Sequence, residues 1–167
     1  LFGEEISYII DKNGEMLQKL EATNGILTIT IPKGTILLDK YGNPFGSLSI
    51  SDDNDPANPP DDASIISAYN FLTGGATFDP AIILTFTYND GDVPDGVAEK
   101  DLFIAYYNGS EWVKLACIVD TENNILTAYV THFTSFALIA QEMPVITETI
   151  TTTQPATTTT STITMTT

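Results

Sequence analysis

The stretch Leu102-Phe103-Ile104-Ala105-Tyr106-Tyr107-Asn108-Gly109-Ser110-Glu111-Trp112-Val113-Lys114-Leu115-Ala116-Cys117-Ile118 decides the fold. Two runs rich in apolar and aromatic residues, 102–107 and 112–118, flank Asn108-Gly109. That dipeptide is the strongest short-range hairpin signal, because both residues tolerate the positive φ of a type I′ turn. The reading is two antiparallel strands joined by a tight turn.

The same grammar extends both ways. Downstream, 119–124 supplies another turn, and 125–130 and 133–139 read as a closing pair of strands. Upstream, Ile82-Ile83-Leu84-Thr85-Phe86-Thr87-Tyr88 is a strand, followed by an acidic crossover at 89–101 that contains Gly and Pro. Ala76-Thr77-Phe78-Asp79-Pro80 reads as a turn, and 65–71 as a strand of β-branched and aromatic residues. Residues 51–62 offer no core side chain and several prolines, which predicts an exposed loop. Ile26-Leu27-Thr28-Ile29-Thr30-Ile31 alternates apolar and hydroxyl residues until Pro32 ends it. Turns at 33–35 and 39–44 separate it from Leu37, Leu38, Leu48 and Ile50, which return to the core. Strands recurring roughly every 8–15 residues predict an all-β antiparallel β-sandwich over 25–141.

Two flanks differ. Residues 1–24 read as a lead-in strand or linker: Ile6-Ser7-Tyr8-Ile9-Ile10 has strand character, while Met16, Leu17 and Leu20 have the spacing of one helical turn. Residues 142–167 read as an extended Thr-rich stalk or connecting segment, with 13 Thr between 147 and 167. Such composition suits an O-glycosylated stalk. Its alternating Thr and Ile also carry β-propensity, with no partner strand expected within the chain.

Charge excludes more than it identifies. The 167 residues carry 22 acidic and 6 basic side chains, a net charge of −16. Nucleic-acid partners are excluded, since phosphate contacts need Lys and Arg. Such a surface repels its own copies unless cations screen it. Cys117 is the single cysteine, so no intrachain disulfide can form, and it reads as a small buried apolar residue. The chain opens on Leu1, which suggests a processed piece with any signal peptide out of view. No apolar run approaches the roughly 20 residues of a membrane span, so no direct membrane insertion is expected.

Several residues carry candidate chemistry. His132 stands two residues before Thr134, where it can take the hydroxyl proton while Oγ attacks the Phe133 carbonyl. An N→O acyl shift followed by hydrolysis would then cut the Phe133–Thr134 bond. The favoured alternative is a tight turn in which His132 orients the turn by hydrogen bonds, Phe133 packs inward and Thr134 satisfies backbone groups. Oxygen-rich loops at Asp52-Asp53-Asn54-Asp55, Asp61-Asp62 and Asp90 with Asp92 suit a Ca²⁺ ion, although the glycine and glutamate of a complete calcium loop are missing; solvated charge is the favoured reading. Asn108-Gly109-Ser110 is also an N-glycosylation sequon. Tyr69, Tyr88, Tyr106, Tyr107, Trp112 and Tyr129 are either core residues or a sugar-binding platform. There is no Gly-rich phosphate loop, no His/Cys metal spacing and no Ser-His-Asp order, so neither an enzyme nor a resident cofactor is expected.

From about residue 25 to 140 the chain resembles extracellular β-sandwich modules of archaeal and bacterial cell-surface proteins. The resemblance rests on Leu27-Thr28-Ile29-Thr30-Ile31-Pro32-Lys33-Gly34-Thr35, Gly75-Ala76-Thr77-Phe78-Asp79-Pro80, Leu84-Thr85-Phe86-Thr87-Tyr88, Glu111-Trp112-Val113-Lys114-Leu115 and His132-Phe133-Thr134-Ser135-Phe136-Ala137. The module is similar to the spectrin-binding sandwich of ankyrins and netrin receptors. Trp112 and 132–139 also resemble the self-cleavage region of adhesion-receptor GAIN domains. That resemblance implies cleavage after Phe133, but receptor sites are clamped by paired cysteines and this chain has only Cys117. The wider resemblance implies an extracellular cell-surface location, archaeal in source, with homo-oligomeric neighbours in a filament, sheath or S-layer. Either 6–10 or 145–165 is the segment expected to donate a strand to a neighbour.

Overall fold

The computed structural model describes residues 5–142, 146–154 and 157–165, with side chains for 7–142. Its strands are β1 (Glu5–Ser7), β2 (Leu20–Thr23), β3 (Leu27–Ile31), β4 (Ile36–Leu38), β5 (Ser47–Asp52), β6 (Ala63–Phe71), β7 (Thr77–Thr87), β8 (Phe103–Tyr107), β9 (Trp112–Lys114), β10 (Cys117–Asp120), β11 (Ile125–His132), β12 (Ser135–Gln141), β13 (Ile146–Gln154) and β14 (Thr157–Met165). Two antiparallel sheets form the sandwich. The first runs β1-β5-β6-β12-β8-β9, and the second runs β10-β11-β7-β3-β2 with β4 also on β7.

Period-two patterning explains the second sheet. Along β3 and the latter part of β7, apolar residues face the core and hydroxyl-bearing or partly exposed residues face outward. Leu27, Ile29 and Ile31 meet Ile82, Leu84, Phe86, Leu126, Ala128 and Val130 in the main core, together with Phe71, Phe136 and Leu138 from the first sheet. Phe86 reaches across to Tyr69, with ring centroids 5.9 Å apart.

The first sheet is buried on both faces at β6, β12 and β8. Ala68, Phe103, Ala105, Trp112, Ala137 and Ile139 form a second apolar cluster on its outer side. The loop after β5, expected to be free of contacts, acts as a strap over this cluster. Ala57 packs there, and the Trp112 indole N–H donates to the Ala57 carbonyl at 3.0 Å. Trp112 therefore sits outside the inter-sheet core. The unbroken apolar run 136–140 follows from this, because a strand covered on both faces needs no polar alternation.

Other expectations are revised. The run 112–118 is not one strand: β9 belongs to the first sheet and β10 to the second, so the chain changes sheets at Leu115-Ala116. The hairpin turn is not type I′. Asn108 N–H donates to Glu111 O at 3.1 Å, making Gly109-Ser110 the central pair. Only Gly109 has positive φ (98°), and the Glu111 N–H is taken by the Asn108 side chain, so a type I′ pair at Asn108-Gly109 is ruled out. Pro80 lies within β7 and does not end it. Neither neighbouring ladder pairs there: β4 stops at Asp79, β3 begins at Ile83, and β11 shifts register between Val130 and His132. A residue without an N–H is tolerated at such a gap.

The lead-in belongs to the sandwich. β1 pairs with β5 and β2 with β3, and Met16 is fully buried as a bridge partner of Ile10, with no helical turn at 16–20. The Thr-rich segment also differs from expectation, because β13 and β14 pair with each other in a separate two-stranded sheet.

Acidic side chains organise turns. Asp11 accepts the N–H groups of Asn13 and Glu15, Asp39 those of Tyr41 and Asn43, and Asp120 those of Glu122 and Asn123. These bonds hold the Asp11 and Asp39 carboxyls below their ordinary range, and the Asn123 side-chain amide, ahead of the backbone bonds, does the same for Asp120. The crossover at 89–101 contains two short 3-10 turns, Asp90–Asp92 and Glu99–Asp101. There the Tyr88 hydroxyl donates to Glu99 Oε2 at 2.9 Å. Burial, then the Glu99 bond and charge, push the Tyr88 pKa from 10.0 to about 12. The folded state thus keeps a proton that the unfolded state loses. This contribution is complete below pH 10.0 and disappears as pH rises through about 12. Denaturant midpoints measured across that window should fall in the native protein and fall less steeply in Tyr88→Phe, where Tyr8 and Tyr69, also raised by burial, still contribute.

Candidate functional site

The candidate site is the two-residue connection Phe133-Thr134 between β11 and β12. These strands were expected to close against each other. They instead lie in different sheets, so the connection forms a corner from the second sheet to the first. Phe133 plugs that corner at 1% exposure. Its ring centroid is 4.6 Å from Phe71 of the first sheet and 4.3 Å from Phe78 of the second.

Backbone bonds hold the corner from both sides. Phe133 N–H donates to Ala76 O at 2.9 Å, and Gly75 N–H donates to Phe133 O at 3.0 Å. Gly75 has φ of +81°, and a Cβ built on it would lie 3.1 Å from Lys40 Cβ. The Gly75-Ala76 turn therefore supplies both backbone partners of Phe133.

Thr134 Oγ1 donates to the Tyr107 carbonyl at 2.6 Å. Its proton points to β8 and not to His132. The imidazole packs edge-on against Tyr106, centroid distance 5.1 Å, and at 6.5 Å from Phe136. A general base must lie within hydrogen-bond reach of the proton it takes. In this arrangement the hydroxyl is committed elsewhere, and it staples the corner to the end of β8. A cleft of about 460 Å³ opens here, lined by Tyr106, Tyr107, Asn108, Gly109, His132, Phe133 and Thr134. The Tyr107 carbonyl and the Gly75 N–H were invisible in the sequence, because backbone partners leave no residue-type signature.

Asn108 is exposed at the hairpin tip beside this cleft. Its Oδ1 accepts from the N–H groups of Ser110 at 2.9 Å and Glu111 at 3.0 Å. The amide nitrogen, the atom a glycan would use, makes no bond among the described residues.

The acidic loops do not converge. Asp53 N–H donates to Ala68 O, and Asp55 N–H donates to Asp53 Oδ1 at 3.3 Å. Asp52 and Asn54 line a cleft with Asn24 and Tyr69. Asp90 Oδ1 accepts from Asn124 Nδ2 at 2.5 Å, and Asp92 Oδ2 accepts from Asn89 Nδ2 at 2.8 Å. Asp62 lies at the opposite end of the strap and takes Glu142 N–H on its carbonyl. Among the described residues, no three His, Cys, Asp or Glu side chains come together as metal ligands.

The aromatic platform is not assembled either. Tyr69, Tyr88 and Trp112 are buried, Tyr106 and Tyr107 are half-buried, and Tyr129 alone of the six is exposed. Cys117 is partly exposed and packs beside both apolar clusters, so it is less enclosed than expected. Among the described residues no helix is long and apolar enough to cross a membrane. No protein-family model matches the chain, and no curated protein shows significant similarity to it.

Proposed function

We propose that the chain is a non-catalytic structural module of an extracellular, prokaryotic and archaeal surface assembly, a filament, sheath or S-layer. One observation carries the reading: the Thr-rich segment is a lone two-stranded ribbon of nine-residue strands, each with one partner. An isolated two-stranded ribbon is marginal in water, and its free edges are templates for further strands. Strand addition between copies satisfies both. The N-terminal segment is a poorer donor, since β1 already pairs with β5 of its own chain. The acidic balance suits a surface exposed to cations, which act by screening and not at a built site. Any Ca²⁺ effect on melting should therefore be reproduced by Na⁺ at equal ionic strength.

Deleting 143–167 tests the reading. Light scattering and electron microscopy should show assemblies of the intact chain that the truncated chain does not form. A truncated protein that assembles like the intact one would remove the ribbon from the proposal.

The self-cleaving reading keeps one supporting observation, the Gly75 N–H on the Phe133 carbonyl, which would polarise the scissile bond. The Tyr107 carbonyl on the Thr134 hydroxyl opposes it. Intact-mass measurement should give a single species of 18.1 kDa. Two fragments divided at Thr134, lost in Thr134→Ala, would establish cleavage instead.

A further inference from the structure

We propose that the outer face of the second sheet is a contact surface for the same face of a second copy of this chain. The inference rests on the assembly reading above and names a surface that the ribbon does not provide.

Cross-strand register places Ile118, Thr127, Thr85, Thr28 and Thr23 in one row across all five strands. A second row is Tyr129, Ile83, Thr30 and Glu21, and a third is Asp120, Ile125 and Thr87. Ile118 is 64% exposed and Tyr129 59% exposed. The Thr28 hydroxyl donates to Thr23 Oγ1 at 2.8 Å, so part of the hydroxyl array is already fixed.

Charge selects the occupant. The chain carries a net charge of −16, so two copies meet with least repulsion where carboxylates are fewest. In these rows only Glu21 and Asp120 are acidic, both on edge strands. Glu21 is paired with Lys19 at 2.5 Å, and Asp120 is engaged in its own turn. Two copies can meet here without opposing carboxylates. The contrast with the other sheet points the same way: there the outer apolar face is covered by the strap of its own chain, and here the described residues provide no cover.

Size sets the strength. Five strands about 4.8 Å apart and roughly five residues long present a flat area on the order of 400 Å². That is about half of what each partner contributes to a stable complex, so the contact is reversible and concentration-dependent. A self-complementary face has a two-fold axis, and Thr85, on the central strand, lies near it.

Sedimentation velocity of the full-length chain over a concentration series, at low and high NaCl, tests this. Wild type should associate more with concentration and with salt. Thr85→Glu, Thr85→Lys and Tyr129→Glu should each associate less than wild type, keeping only the ribbon-mediated part, while Asn58→Glu on the strap behaves as wild type. Mixing Thr85→Glu with Thr85→Lys should restore association at low salt. Trp112 fluorescence and melting confirm folding of each variant, and Tyr129→Glu decides the matter if the Thr85 variants unfold. Association of the folded variants equal to wild type overturns the face and leaves the ribbon-mediated assembly standing. Failure of the Glu–Lys mixture to associate overturns the face-to-face geometry. A wild type that stays monomeric under every condition overturns both proposals.

Discussion

Phe86→Ala should lower stability by about 3–5 kcal/mol, the usual cost of emptying a buried aromatic site. Phe86 is fully buried, faces Leu27 on β3 and Leu126 on β11, and carries the contact to Tyr69 across the sandwich. Its loss removes apolar burial and leaves a cavity between sheets that cannot collapse without bending β7. For a chain of this size the melting temperature should drop by roughly 6–20 °C, read by near-ultraviolet circular dichroism. An unchanged melting curve would mean that β7 presents its other face to the core.

Trp112→Ala should cost a comparable amount, about 3–5 kcal/mol, although Trp112 lies outside the inter-sheet core. The indole is 7% exposed, stacks beside Tyr107 with centroids 5.4 Å apart, and anchors the strap through Ala57. Removing it should also release the strap, so limited proteolysis should cut within 53–60 far faster than in the native protein. Trp112→Phe keeps most of the apolar contact and loses the hydrogen bond, at roughly 1 kcal/mol. If Trp112→Ala were as stable and as protease-resistant as the native chain, the outer cluster would contribute nothing.

The legible part of this fold was the alternation in 26–31, 82–88 and 125–130. One face of each of these strands meets water, so the side-chain period is written directly in the residues. The strap was illegible because Ala57 acts through its carbonyl and a methyl group, which no composition rule detects. The split at Leu115-Ala116 was hidden for a related reason: a chain moving from one buried surface to another stays apolar throughout, so periodicity shows no break. Met16 misled in the opposite direction, as a short apolar spacing fits a helical turn and a β-bridge equally well. At the candidate site Phe133 is inward and Thr134 is on a backbone carbonyl as expected, whereas the His132 side chain, expected to orient the turn by hydrogen bonds, instead packs edge-on against Tyr106. The partners, Tyr107 O and Gly75 N–H, arrive from distant strands and became visible only with the topology. The self-pairing of β13 with β14 was missed because Thr fills more than half of both strands, and so repetitive a pattern carries little mark of register.

The attachment of the C-terminal segment has a mechanical consequence. Everything beyond residue 142 is connected through β12, an interior strand held along its length by β6 on one side and at Phe136–Ile139 by β8 on the other. Tension applied along that strand must shear two ladders at once, with the Phe133 plug and the Thr134 staple at its far end resisting withdrawal. The opposite terminus enters through β1, which is bound by three residue pairs at a sheet edge and peels one pair at a time. The module is thus mechanically polar: under load it should yield first at its N-terminal edge, while the strand leading to the Thr-rich ribbon remains seated.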